Sequence, residues 1–118
     1  MGTQRKRNKY GNRKCKLDGF TFDSVKEANH YADLKYRLLA GEIKDLQLQK
    51  PFVLQDAFRD CNGKWQAEIK YVADFYYYDI AREQWVIEDV KSEATKKDRV
   101  YQLKKKMMLY KGLVIEEV

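Results

Sequence analysis

Histidine is almost missing from this chain of 118 residues: there is one, His30. Cysteine is scarce as well, with Cys15 and Cys61 isolated from each other and in no CxxC pair. These two shortages argue against a zinc cluster, a histidine-metal nuclease centre and a Ser-His-Asp hydrolase. With no disulfide framework, a reducing, cytoplasmic setting is expected. No run approaches the ~20 apolar residues of a membrane span, so no membrane partner is expected. The first residues lack the apolar core of a secretory signal, and Lys6 stands where a myristoylation motif needs Ser or Thr. Acid, finally, is missing from residues 1–16, which hold seven of the 24 cations.

That last absence locates the charge. The net charge is +6, yet residues 17–118 carry 17 cations against 18 acids. The basic excess is therefore a property of the leading segment. Residues 1–12 are polar and basic, and are expected to form a flexible arm that favours an anionic polymer through Arg5, Lys6, Arg7 and Lys9. The remaining 13–118, in a chain that is 44% hydrophobic and 14% aromatic, is the size of one domain with two or three layers.

Local signals order that domain. Asp18-Gly19 predicts a two-residue hairpin turn. Ser24, followed three residues later by Glu27, has the capping-box pattern and starts a helix over 24–40, ended by Gly41. Val25, Ala28, Tyr31, Ala32, Leu34, Leu38 and Leu39 supply its apolar spacing. Leu46 and Leu48 alternate with Gln47 and Gln49 in a strand, and Pro51 marks an edge, bend or bulge. Asn62-Gly63 is a second hairpin turn. Trp65–Asp79 reads as one long strand and Gln84–Lys91 as the next. From Thr95 to Lys111 the period is helical, with Val100, Leu103, Met107 and Tyr110 as the apolar stripe, and 113–118 is a final strand. The fold class is α/β (α+β), a mixed sheet with helices packed on it.

One constellation carries chemistry. Alternation places Trp85, Ile87, Asp89 and Lys91 on one strand face and Val86, Glu88 and Val90 on the other. Asp89, not Glu88, is thus the partner of Lys91, and Asp74 lies on the preceding strand. An exposed Asp–Lys pair alone would be an ion pair worth ~0–1 kcal/mol. Both carboxylates, however, sit inside apolar runs, where burial is costly without a partner or a metal. Two converging carboxylates can hold Mg²⁺ or Mn²⁺ and leave places for a phosphate oxygen and a water. A lysine beside them can serve the water or stabilise developing charge.

Asp74, then Asp89-Val90-Lys91 on the following strand, resembles the bipartite signature of the PD-(D/E)XK nuclease superfamily, with Ala73-Asp74 where that family often has Pro-Asp. The order of elements over residues 20–118 resembles the αβββαβ core of the same restriction-endonuclease-like fold. Phe22-Asp-Ser…Glu27, Gly41-Glu-Ile…Leu46…Gln49, Tyr71…Asp74-Phe75 and Glu88-Asp-Val-Lys91 together look like a small phage- and prophage-associated family within it. The resemblance implies an Mg²⁺- or Mn²⁺-dependent DNA endonuclease of a phage recombination, replication or packaging setting, in the bacterial host cytoplasm. Asp74 and Asp89 would bind metal and Lys91 would serve the attacking water. Glu27 would be a further acidic member, although the helix cap alone explains a glutamate there. Gln49 could approach the site, but a glutamine beside a bend is more often an ordinary surface residue.

Lys96, Lys97 and Arg99 are expected in the first turn of the second helix, where free N–H groups already favour phosphate. Tyr76, Tyr77 and Tyr78 could stack on bases, but packing both faces of a central strand suits them better. So small a chain has no room for a separate sequence-reading domain, so cutting would be structure-selective or weakly specific, and a symmetric dimer would serve two strands. The alternatives are a non-catalytic nucleic-acid-binding module and an interaction protein in which Asp89–Lys91 is only an ion pair.

Overall fold

The computed structural model describes residues 13–118. Its elements are β1 (Cys15–Leu17), β2 (Phe20–Phe22), α1 (Val25–Leu39), β3 (Ile43–Gln55), β4 (Phe58–Arg59), β5 (Trp65–Gln66), β6 (Ile69–Asp79), β7 (Gln84–Asp89), α2 (Glu93–Lys96), α3 (Arg99–Tyr110) and β8 (Ile115–Glu117). The central sheet runs β3-β6-β7-β8. Its first three strands are antiparallel and β8 lies parallel to β7, so the sheet is mixed, as expected.

The local signals act as read. Asp18 and Gly19 both take positive φ (52° and 82°), the conformation a two-residue hairpin needs, and Leu17 pairs with Phe20. Ser24 caps α1 by accepting from Glu27 N–H at 3.0 Å. The helix ends when Gly41 enters the left-handed region (φ 75°). There Gly41 N–H donates to Leu38 C=O at 3.1 Å and Glu42 N–H to Arg37 C=O at 2.9 Å, satisfying two orphan carbonyls. Pro51 lies opposite Val72 inside β3, and β3 is an edge strand, where proline is tolerated.

Two cores sit on opposite sides of the sheet. Under α1, Phe22, Ala28, Tyr31 and Leu34 pack on Ile43, Phe75, Tyr77 and Val86. Under α3, Tyr101 and Met108 pack with Leu54, Tyr71, Ala73, Ile87 and Ile115. The tyrosine run serves both, as the packing reading had it: Tyr77 is buried toward α1, while Tyr76 stacks on Trp85 at 4.8 Å between centroids. Met108 is fully enclosed. Met108→Ala should therefore cost about 2–5 kcal/mol, measured by urea unfolding.

Five expectations are corrected. Trp65–Asp79 is not one strand: residues 58–66 fold into their own hairpin, held by the Asp60 carboxylate, which accepts from Asn62 and Lys64 N–H at 2.9 Å each. The Thr95–Lys111 helix is two helices, because Asp98 caps a new one by accepting from Val100 N–H at 2.9 Å. Lys96 and Lys97 consequently end α2 and only Arg99 opens α3, so the three do not share a first turn. The stripe Val100, Leu103, Met107, Tyr110 is not the core face of α3; Tyr101 and Met108 are. In α1, likewise, Val25, Leu38 and Leu39 are exposed, and Glu27 joins Ala28, Tyr31 and Leu34 inside.

Candidate active site

β6 and β7 pair with Phe75 opposite Glu88, which brings Asp74 beside the end of β7. There Asp74 Oδ2 accepts from Val90 N–H at 2.9 Å. Its other oxygen accepts from Gln49 Nε2 at 3.3 Å, so Gln49 does approach the site. Gln49 lies opposite Asp74 on β3 with φ 52°, a conformation unusual for a side-chain-bearing residue in a strand. The inward face of β6 changes side here. Tyr71 and Ala73 belong to the core beneath α3, whereas Phe75 and Tyr77 belong to the core beneath α1. Asp74 is the pivot.

Asp89 is 4% exposed. Tyr71 donates its hydroxyl to Asp89 Oδ2 at 2.5 Å, and Lys91 Nζ stands 3.4 Å from Oδ1. Alternation therefore assigns the partners correctly: Asp89 and Lys91 share a face, and Glu88 turns the other way to meet His30 Nε2 at 2.8 Å. Parallel pairing with β8 fixes the strand end, since Val118 N–H donates to Asp89 C=O at 2.9 Å and Lys91 N–H to Val118 C=O at 3.2 Å. The Lys91 ammonium also lies 4.0 Å above the centre of the Tyr101 ring, whose hydroxyl is anchored on Glu117 at 2.6 Å. Tyr71 and Tyr101 are site residues that sequence reasoning missed. Tyr71 is three residues from Asp74, on the opposite face of any regular strand, and only the pivot at Asp74 brings the two together.

The electrostatics follow from crowding. Burial, then the neighbouring Asp89 carboxyl, then the charge of Glu27, push Asp74 up to about 8. Held protonated, Asp74 can donate to Asp89. Burial and the Asp89 charge push the Tyr71 hydroxyl far upward, so it stays a donor. Glu27 is also raised, by burial first, then by the charge of Asp23; Asp89 adds to the rise and Lys91 opposes it. The Glu27 backbone N–H completes the Ser24 cap, while its carboxyl is buried within electrostatic reach of Asp89 and Lys91. The two roles separate by mutation. Ser24→Ala should lose about 1 kcal/mol of stability. Glu27→Gln should lose none at neutral pH, because it removes a charge that burial opposes. Chemical denaturation of both variants checks this.

Asp74, Asp89 and Lys91 line one open cleft of about 420 Å³, with Lys70, Tyr101 and Lys104 on its walls. The cations around the carboxylates are thus Lys70, Lys91 and Lys104 rather than Lys96, Lys97 and Arg99. Arg5, Lys6, Arg7 and Lys9 lie outside the described residues. Among the described residues, no three His, Cys, Asp or Glu side chains are grouped closely enough to hold a metal by themselves. The donor set fits a hard cation in a more limited way. Asp74 and Asp89 line the same cleft, and their carboxylates would supply the oxygen ligands a divalent ion prefers.

Among the described residues no helix is long and apolar enough to cross a membrane. No curated protein and no solved structure matches the sequence. A family model described as "Protein of unknown function (DUF1064)" matches residues 7–116, and the chain belongs to that family.

Proposed function

We propose that this protein is a metal-dependent endonuclease that hydrolyses phosphodiester bonds in DNA. The observation that carries the reading is the convergence of Asp74 and Asp89, with Lys91 beside them, in one open cleft walled by Lys70 and Lys104. Asp74 and Asp89 would hold Mg²⁺ or Mn²⁺, with Glu27 as an outer acidic member; when bound, such an ion polarises a phosphate and acidifies a water. Tyr71 orients Asp89 through its hydroxyl and leaves the other carboxylate oxygen toward Lys91. Lys91, held over the Tyr101 ring, offers N–H donors to the attacking water or to the charge growing on the phosphate. Lys70 and Lys104 would grip the flanking phosphates, as point charges without base preference. Weakly specific or structure-selective cutting follows, with branched or duplex DNA as substrate. A symmetric dimer and a phage recombination, replication or packaging role extend the same reading.

A second reading is favoured by the absence of a ready-made three-ligand cluster among the described residues. On it the protein is a non-catalytic nucleic-acid-binding module with the same cleft. One experiment divides the two. Linear, nicked and branched DNA are incubated with the protein in Mg²⁺, Mn²⁺ or EDTA, beside Asp89→Ala and Lys91→Ala. Metal-dependent cutting that both variants lose supports the enzyme. Binding that needs no metal and survives Asp89→Ala, without cutting, supports the module. Equal cutting by all three proteins marks a contaminant and sinks the nuclease assignment.

A further inference from the structure

α3 carries two apolar faces and uses one. Tyr101 and Met108, seven residues apart, point into the core. Val100, Leu103, Met107 and Tyr110 follow alternating steps of three and four, the spacing of a coiled-coil seam. Nothing among the described residues covers that seam: Val100 and Leu103 are each 60% exposed and Tyr110 is 94% exposed, with only Met107 partly packed. Apolar side chains scattered over a surface need no explanation, but a row at this spacing on a capped helix does.

The flanks of the seam say what fits it. With Val100 and Met107 at a and Leu103 and Tyr110 at d, the g positions are Arg99 and Lys106 and the e positions are Lys104 and Lys111. All four are cationic. Among the described residues none of them is in an ion pair, whereas the nearby Lys105 is held by Glu117 at 3.2 Å. In a coiled coil the e and g charges choose the partner. A second copy of this helix would set Arg and Lys against Arg and Lys. The basic segment 1–12 of this chain meets the same repulsion.

We infer that the outer face of α3 is a docking seam for an acidic amphipathic helix of another protein, with apolar residues at its a and d positions and glutamate or aspartate at e and g. Val100 and Lys104 also line the cleft of Asp74 and Asp89, so the docked helix would border it. The seam does not depend on the cleft being catalytic.

The probe is a fluorescein-labelled peptide of about four heptads with Leu at a and d and Glu at e and g, beside a twin with Lys at e and g. Fluorescence anisotropy should show the Glu peptide binding the full chain, with affinity falling as salt rises. The Lys peptide should not bind. Leu103→Asp should weaken the Glu peptide at least about 30-fold, as loss of a seam anchor does, while its thermal melt stays that of wild type because Leu103 is exposed. The double variant Lys106→Glu, Lys111→Glu, reversing one flank position on each side, should shift preference toward the Lys peptide. The inference is overturned if neither peptide binds, if both bind alike, or if Leu103→Asp changes nothing. It is equally overturned if sedimentation shows self-association that Leu103→Asp abolishes, which makes the occupant a second copy. Duplex DNA binding that requires Leu103, with no peptide binding, would assign the face to nucleic acid instead.

Discussion

Asp89→Ala should abolish metal-dependent DNA cutting, with a loss of at least about 10³-fold in the single-turnover rate. The size follows from position. Asp89 is the group on which the other members of the cleft are built: it accepts from Tyr71 at 2.5 Å, stands 3.4 Å from Lys91, and raises Asp74. On the proposed reading alanine removes a metal ligand, and it also leaves the Tyr71 hydroxyl and the Lys91 ammonium without their partner. Asp89→Asn separates these effects. The amide can still accept from Tyr71, but it carries no charge for a cation, so cutting should fall nearly as far while the fold is kept. Affinity for uncut duplex in EDTA should change by no more than a few fold in either variant, because Lys70 and Lys104 remain. Gel-based cleavage and anisotropy on the same preparations decide it. Retention of cutting by Asp89→Asn would remove the metal-ligand role from this residue.

Without divalent metal, stability should fall as pH rises, and Asp74→Asn should flatten that profile. Unfolded, the Asp74 carboxyl titrates near 3.8; folded, it does so at about 8. Between those values the folded chain holds one more proton than the unfolded chain, so each unit of pH favours unfolding. At 1.36 kcal/mol per unit over about four units, the loss approached at pH 8 is on the order of 5 kcal/mol. Asparagine reproduces the protonated form: its Oδ1 accepts from Val90 N–H, its Nδ2 donates to Asp89, and Gln49 can turn its amide to suit. The variant should thus match wild type near pH 4 and exceed it at pH 8. On the proposed reading a divalent cation takes the place of that proton, so stabilisation of wild type by Mg²⁺ should grow over the same range and be missing in the variant. Urea titrations at several pH values, in EDTA and in Mg²⁺, test both halves. A flat wild-type profile in EDTA would show that the two carboxyls do not share a proton.

Whatever depends on residues a few positions apart was legible from the start. Strand alternation places Asp89 beside Lys91 and turns Glu88 to His30, because a period of two is a backbone property. The hairpin at Asp18-Gly19 and the helix stop at Gly41 need only a positive φ that their residues tolerate. The order α1, β3, β6, β7, α3, β8 follows from such signals, the small hairpins set aside. α3 shows where periodicity stops. Tyr101–Met108 and Val100–Leu103–Met107–Tyr110 are both apolar rows, and no local rule says which one meets the sheet. The length of the row pointed to the second; the packing of β8 and β7 chose the first.

The sequence by itself determined the candidate set, Asp74, Asp89 and Lys91, the strands that bear it, and the caps and turns around it, since their placement arises from short-range backbone geometry. Only the tertiary structure decided the rest. The pivot at Asp74, with Gln49 at positive φ across from it, swings Tyr71 under Asp89, and the closing of α3 over β7 and β8 sets Tyr101 beneath Lys91. The shift of Asp74 to about 8 has the same origin, because it requires two carboxyls to be brought together and withdrawn from water, which no stretch of chain does alone.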